Sequence, residues 1–270
     1  MIPSLVSADW LNEHKNDPKL IILDASPATT ASSNGTRYPN LTIPNARFFD
    51  LKNVFSDNTS KFPNTFPSVE QFETGCRSLG IDRTSKIVVY DNLGIYTSPR
   101  VWWMFRTMGH QEVAVLNGGL TAWIAAGHDT SSHHLNVTTN GDFSANFNQN
   151  GLADIDFIEA NLDRTDHLIV DARSRNRFLG IAKEPRAGLR SGHIPNSVNV
   201  PFESVLDHGK LKSKEELTAI FHASEIDHRP LIFSCGSGIT ACIVLLAAHE
   251  VLPNETSVYD GSWTEWATLK

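Results

Sequence analysis

The sequence predicts two tandem α/β domains, each built on a parallel β-sheet with helices on both faces. Three observations carry that prediction. The chain repeats itself once, short β-rich apolar runs recur within each copy, and those runs alternate with helical patterns.

The repeat is read from ordered matches. Leu20–Ser26 (LIILDAS) resembles Leu168–Ser174 (LIVDARS), and Ile43–Leu51 (IPNARFFDL) resembles Ile194–Phe202 (IPNSVNVPF). Lys86–Gly94 resembles Pro230–Gly238, and Val115–Trp123 (VLNGGLTAW) resembles Val258–Trp266 (VYDGSWTEW). The offsets stay between 143 and 151 residues, and the last match carries G-x-x-x-x-W. Short hydrophobic strands resemble one another, but ordered matches at nearly constant offset indicate one domain copied twice. Ile21–Leu23, Ile87–Tyr90, Leu168–Val170 and Leu231–Phe233 read as strands buried on both faces. Ser98–Met108 and Thr240–Leu252 read as helices, the second stopped by Pro253. The polar stretch His128–Asn150 has no helical period and reads as a surface linker, its His133 and His134 solvated. The expected division is residues 1–130, a linker at 131–150, and residues 151–270.

Composition excludes several classes. The 270 residues carry a net charge of −7 and are 40% apolar, ordinary values for a globular protein. No basic run offers a grip on nucleic acid or an anionic membrane, and no stretch reaches the ~20 apolar residues of a membrane span. The N-terminus shows neither a signal peptide nor an Arg-rich transit peptide, so a cytoplasmic location is expected, with the mitochondrion as the alternative. Sequons at Asn34, Asn40, Asn58, Asn136 and Asn254 are then read as chance matches. Three cysteines, Cys76, Cys235 and Cys242, are too few for a disulfide framework and lack zinc-ligand spacing.

The copies differ chemically at one place. Asp91 ends the strand Lys86–Tyr90, and its counterpart after Leu231–Ser234 is Cys235. The second copy continues Gly236-Ser237-Gly238-Ile239-Thr240 into an apolar helix. A strand, a tight glycine turn and a helix start together form a nest of backbone N–H groups, which binds anions and favours a thiolate. Cys235, expected within reach of solvent, is therefore the candidate nucleophile. Gly236 and Gly238 would let backbone approach a ligand, and the Ser237 and Thr240 hydroxyls would bond sulfur or an oxyanion. A cysteine-dependent phosphatase needs arginine where Ala241 stands, and a P-loop needs a lysine the turn lacks. Cys242 and Cys76 read as packed thiols.

Arg173, Arg175, Arg177, Arg186 and Arg190 crowd the stretch before the second H-I-P. They could hold a small carboxylate or sulfonate, or pair internally with Asp171 and Glu184. Spacing alone does not choose among them.

Over essentially its full length the chain resembles the two-domain rhodanese-type sulfurtransferases. SGHIPNSVNVPF and VYDGSWTEW resemble the two family signatures, and PRVWWMFRTMGH and VLNGGLTAW resemble its non-catalytic first domain. CGSGIT, Cys235–Thr240, resembles the loop of members that use 3-mercaptopyruvate; thiosulfate-specific members have Arg and Lys where Gly236 and Ser237 stand. A neutral loop removes Coulomb attraction for a dianion and suits a monoanionic thiol. The resemblance implies two rhodanese-like domains, catalysis by Cys235 and Ser237, and substrate binding by Arg177, Arg186, Gly236, Gly238, Ile239 and Thr240. It implies a persulfide on Cys235, a small-molecule sulfur donor, and a thiol such as thioredoxin, or cyanide, as acceptor. It requires no metal and no organic cofactor.

One position departs from the family. Thr42 replaces the histidine before the first Ile-Pro, to which a proton relay with the loop serine is assigned. Threonine is no general base at neutral pH. The alternatives are thus a thiosulfate-preferring enzyme and a catalytically weak sulfur-carrier or interaction protein of the same fold.

Overall fold

Apolar runs that end in turn residues become strands covered on both faces, and the chain makes two five-stranded parallel sheets of them. The computed structural model describes residues 2–27 and 38–270, and the sequon at Asn34 lies outside them. Unit one comprises Met1–Asp57, Phe66–Asn148 and His208–Lys210; unit two comprises Asn58–Thr65, Gln149–Asp207 and Leu211–Lys270.

Unit one runs β1 (Leu5–Val6), α1 (Ala8–His14), β2 (Leu20–Asp24), β3 (Arg47–Phe48), α2 (Val69–Ser78), β4 (Lys86–Tyr90), α3 (Ser98–Thr107), β5 (Val113–Leu116) and α4 (Gly119–Ala125). Its sheet order is β1-β5-β4-β2-β3, all parallel. The seven-residue α1 and the ten-residue α2 start at serine N-caps: Ser7 and Ser68 each accept a backbone N–H three residues on. One sheet face packs Ile22, Val88, Leu120 and Trp123. Phe49, Phe55, Phe72, Phe105 and Phe143 form a second, aromatic cluster.

Unit two runs β6 (Leu152–Ala153), α5 (Ile155–Arg164), β7 (Leu168–Asp171), α6 (Arg175–Phe178), β8 (Ser197–Asn199), β9 (Leu206–Asp207), β10 (Lys210–Leu211), α7 (Lys214–Ala223), β11 (Leu231–Ser234), α8 (Ala241–Val251), β12 (Thr256–Tyr259) and α9 (Ser262–Leu269). Its sheet order is β6-β12-β11-β7-β8, again all parallel, so the two sheets share one topology. β9 and β10 form a separate two-stranded ribbon. Ser213 and Glu216 close a capping box on α7. Every residue of α8 from Ala241 to Ala248 is buried, as an all-apolar helix requires. That packing fixes the helix start that follows Cys235.

The two expected helices end one residue short of the reading at the C-terminus, and the second also starts one residue later. The two-residue strands β1, β3 and β6 carry no periodic signal and were not legible. The stretch expected as a linker lies along unit one as far as Asn148. Leu135 N–H donates to Ala46 O at 2.8 Å, Gly141 N–H to Arg77 O at 2.9 Å, and Phe143 is buried. Unsatisfied main chain finds carbonyls there, and a polar-looking segment gains an apolar anchor. His134 is likewise more than a solvated side chain, since its Nε2 lies 2.9 Å from Asp24 Oδ2.

Asp24 gathers a buried polar cluster at the end of β2. Tyr90 OH donates to Asp24 Oδ2 at 2.9 Å and lies 2.5 Å from Thr42 Oγ1. Burial pushes the Asp24 carboxyl up, but hydrogen bonds from His134, Ser26 and Tyr90 outweigh it and hold the group below its ordinary value. Thr42 is thus a buried member of this network, 3% exposed.

Candidate active site

β11 is the central strand of the second sheet, and Cys235 is the residue that follows it. In an open α/β sheet the carboxyl end of a strand is where ligands bind. The turn 236–240 then leads into α8. Gly238 takes φ +79°, a left-handed conformation that favours glycine. Gly236 is needed for a different reason. A Cβ there would meet Arg177 Nη2 at 3.1 Å, so the missing side chain makes room for a guanidinium against the loop.

Among the described residues, the backbone N–H groups of Gly236, Ser237, Ile239 and Thr240 have no protein acceptor. Four donors in one turn, beside the start of a buried helix, form an anion cradle. The carbonyls of Ile239 and Thr240 accept from Cys242 and Ile243 at 3.1 and 3.2 Å, which winds the first turn of α8. The Thr240 hydroxyl does not cap that helix and has no protein partner among the described residues.

Cys235 is 2% exposed, whereas the sequence reading has it open to solvent. The chain folds back over it: Cys235 N–H donates to Ser262 Oγ at 3.2 Å, and Cys235 O accepts from Trp263 N–H at 3.0 Å. Gly236 O accepts from Thr264 N–H at 3.0 Å. The start of α9 therefore clamps the cysteine backbone. Ser262 does this from φ +50°, where its counterpart Gly119 has φ +53°. The side chain that makes the conformation costly also supplies the hydrogen bond. Cys242 is buried with its Sγ 3.3 Å from Gly238 O. Burial pushes the Cys76 thiol well up.

The arginines separate. Arg173 is enclosed, donating to Asp171, Glu184 and Gly192 O and lying over the Trp263 ring at 4.4 Å from its centroid. It is the internal pairing the spacing left open. Arg177 bonds Glu184 at 2.5 Å but keeps 24% of its side chain exposed. Arg186 donates to Ser237 Oγ and to Thr264 Oγ1, each at 3.1 Å. Arg175 and Arg190 are exposed. Glu184 thus carries two guanidinium groups and presents Arg177 to the loop. It is the internal partner the arginine-rich stretch offered, here shared by Arg173 and Arg177.

Asn64 was not found by sequence reasoning. It belongs to Asn58–Thr65, which groups with unit two, and its Nδ2 donates to Ser237 O at 3.2 Å and Ser237 Oγ at 3.0 Å. Nothing in its local pattern marks it.

Unit one has a carboxylate where unit two has the thiol. Asp91 Oδ2 accepts from the N–H groups of Tyr96, Thr97 and Ser98 at 2.8 to 3.0 Å and from Ser98 Oγ at 2.7 Å. Oδ1 accepts from Leu93 N–H at 3.0 Å. Burial pushes the Asp91 carboxyl up against the pull of those donors from Ser98, Tyr96 and Leu93. With four donors on Oδ2 there is no place for a proton on that oxygen. The copied turn in unit one is therefore filled by its own carboxyl side chain.

Among the described residues no group of three or more His, Cys, Asp or Glu could hold a metal ion, and no helix is long and apolar enough to cross a membrane.

Fold and turn together define a duplicated α/β protein with a cysteine at the end of the central strand of its second sheet. The rhodanese-like domain family matches residues 7–126 and 154–269, and the chain belongs to that family. It is 39% identical to 3-mercaptopyruvate sulfurtransferase of Escherichia coli K12 over 97% of this chain and 94% of that protein. It is 41% identical to thiosulfate sulfurtransferase of Rattus norvegicus over 97% and 91%. The crystal structure of SseA, a 3-mercaptopyruvate sulfotransferase from Escherichia coli, superposes with a TM-score of 0.86 at 36% identity, covering 97% and 99% of the two chains.

Proposed function

We propose that this chain is a sulfurtransferase that takes sulfur from 3-mercaptopyruvate onto Cys235 and passes it to a thiol or to cyanide. The observation that carries the reading is the Cys235 turn, whose amides at 236, 237, 239 and 240 have no acceptor among the described residues, with the Arg186 guanidinium hydrogen-bonded to its serine. The Cys235 thiolate attacks the donor sulfur, and an S–S bond forms as the donor's C–S bond breaks. The electron pair goes to pyruvate as its enolate, which takes a proton from solvent. The amides of the turn stabilise the sulfur anion. A thiolate acceptor, of which thioredoxin is the proposed protein example, then attacks the outer sulfur and returns Cys235 as thiolate; cyanide leaves as thiocyanate. Arg186 and Arg177 hold the donor's carboxylate. A cytoplasmic location is proposed with this reading.

The second reading is thiosulfate as donor. Arg177 beside Gly236 favours it, since a cation close to the loop suits a dianion. Turnover of the two donors measured side by side separates the readings. Mercaptopyruvate turnover is expected to exceed thiosulfate turnover, and the reverse order overturns the donor assignment. Substitution Arg186→Ala is expected to raise KM for mercaptopyruvate by about 10- to 100-fold. That corresponds to one charge-assisted hydrogen bond. The rate at which cyanide strips preformed persulfide changes far less. An unchanged KM removes Arg186 from the site.

A further inference from the structure

Ser237 Oγ receives two hydrogen bonds and gives none among the described residues. Asn64 Nδ2 donates to it at 3.0 Å and Arg186 Nη2 at 3.1 Å. The orientation of the Asn64 amide follows from chemistry, because the same nitrogen faces Ser237 O at 3.2 Å and a carbonyl only accepts. A hydroxyl oxygen has two lone pairs and one hydrogen. Both lone pairs are occupied here, one by a cation. Among the described residues no acceptor takes the hydrogen.

Asn64 is itself held by a local fold. Thr65 Oγ1 donates to Phe62 O at 2.9 Å and lies 2.8 Å from Ser60 Oγ, and Phe62 N–H donates to Ser60 Oγ at 3.1 Å. Asn64 has φ +61°, a region asparagine tolerates better than most residues. The segment is a self-bonded turn that delivers one amide to the loop.

We infer that Asn64 is a positioning residue which, with Arg186, holds the Ser237 hydroxyl as a one-way hydrogen-bond donor toward the bound sulfur donor. This deepens the sulfurtransferase reading and rests on it. A hydroxyl with both lone pairs filled does not accept a proton, so Ser237 is no relay base. Its hydrogen is aimed at the donor molecule's oxygen, which gains negative charge as the C–S bond breaks and electrons enter the enolate. No proton leaves Ser237 in this scheme; pyruvate is completed by solvent.

The test is the single-turnover rate of sulfur loading on Cys235 of the full chain, at saturating 3-mercaptopyruvate, read by intact-protein mass spectrometry. Asn64→Ala, Asn64→Asp, Ser237→Ala and the Asn64→Ala/Ser237→Ala double variant are compared. Asn64→Ala is expected to slow loading by up to about tenfold, the scale of one neutral hydrogen bond. Asn64→Asp is expected to slow it at least as much, because a carboxylate accepts the Ser237 hydrogen and turns it away from the donor. In the Ser237→Ala background the Asn64 substitution is expected to change the rate by less than about twofold, as for residues that act through one another. Asn64→Asp loading faster than Asn64→Ala makes Ser237 a proton acceptor and overturns the inference. Equal slowing by Asn64→Ala in both backgrounds makes Asn64 merely structural and also overturns it. If the wild-type chain takes sulfur from neither mercaptopyruvate nor thiosulfate, the sulfurtransferase reading has failed and the inference falls with it.

Discussion

Cys235→Ser leaves a folded protein that takes up no sulfur. The change replaces one atom, and the main-chain bonds at that position, to Ser262 Oγ and from Trp263 N–H, do not depend on it. Exchanging a buried thiol for a hydroxyl without a partner costs about 1–3 kcal/mol, which a chain of this size tolerates. Chemistry is lost for a different reason. A serine hydroxyl is not ionised near neutral pH without an adjacent base, and oxygen cannot form the S–S bond that stores the transferred atom. Turnover is expected to fall by more than about 1000-fold. After exposure to donor, intact mass is expected to show one added sulfur atom on the wild-type chain and none on the variant. Sulfur retained by the variant would move the acceptor to another residue.

Asp91→Ala is expected to destabilise the protein by about 3–5 kcal/mol. Each buried donor left without an acceptor costs about 1–3 kcal/mol, and the substitution strands the N–H groups of Thr97 and Ser98, both buried, together with those of Leu93 and Tyr96. Asp91→Asn keeps one carbonyl oxygen in the cradle and is expected to cost about 1–2 kcal/mol. Denaturant unfolding of the three chains measures the order. An Asp91→Ala chain within about 0.5 kcal/mol of wild type would mean that the carboxylate does not hold this turn. The comparison also bears on unit two. The same strand-turn-helix, with a cysteine in place of the aspartate, leaves its amides for an anion from outside.

Local order was legible in the sequence because strands and helices write their periods locally. The matches of β2 with β7 and of β4 with β11 gave the duplication, and the shared strand order follows from it. The strand-end rule located Cys235 and its turn, since a strand, two glycines and an apolar helix are contiguous in the chain. Local reading missed the exposure of Cys235. The residues that cover its backbone, Ser262 to Thr264, are 27 or more positions away.

By itself, then, the sequence determined the duplicated α/β architecture, the family, and the position of the proposed sulfur nucleophile, all of which are encoded by neighbours along the chain. Only the tertiary structure decided which arginine is buried against Asp171 and which reaches Ser237, and that Asn64 meets the loop at all. The Arg186 and Asn64 contacts with Ser237 join residues 51 and 173 positions apart. A hydrogen bond depends on the separation of two atoms in space, and no periodicity records a partner that distant in sequence.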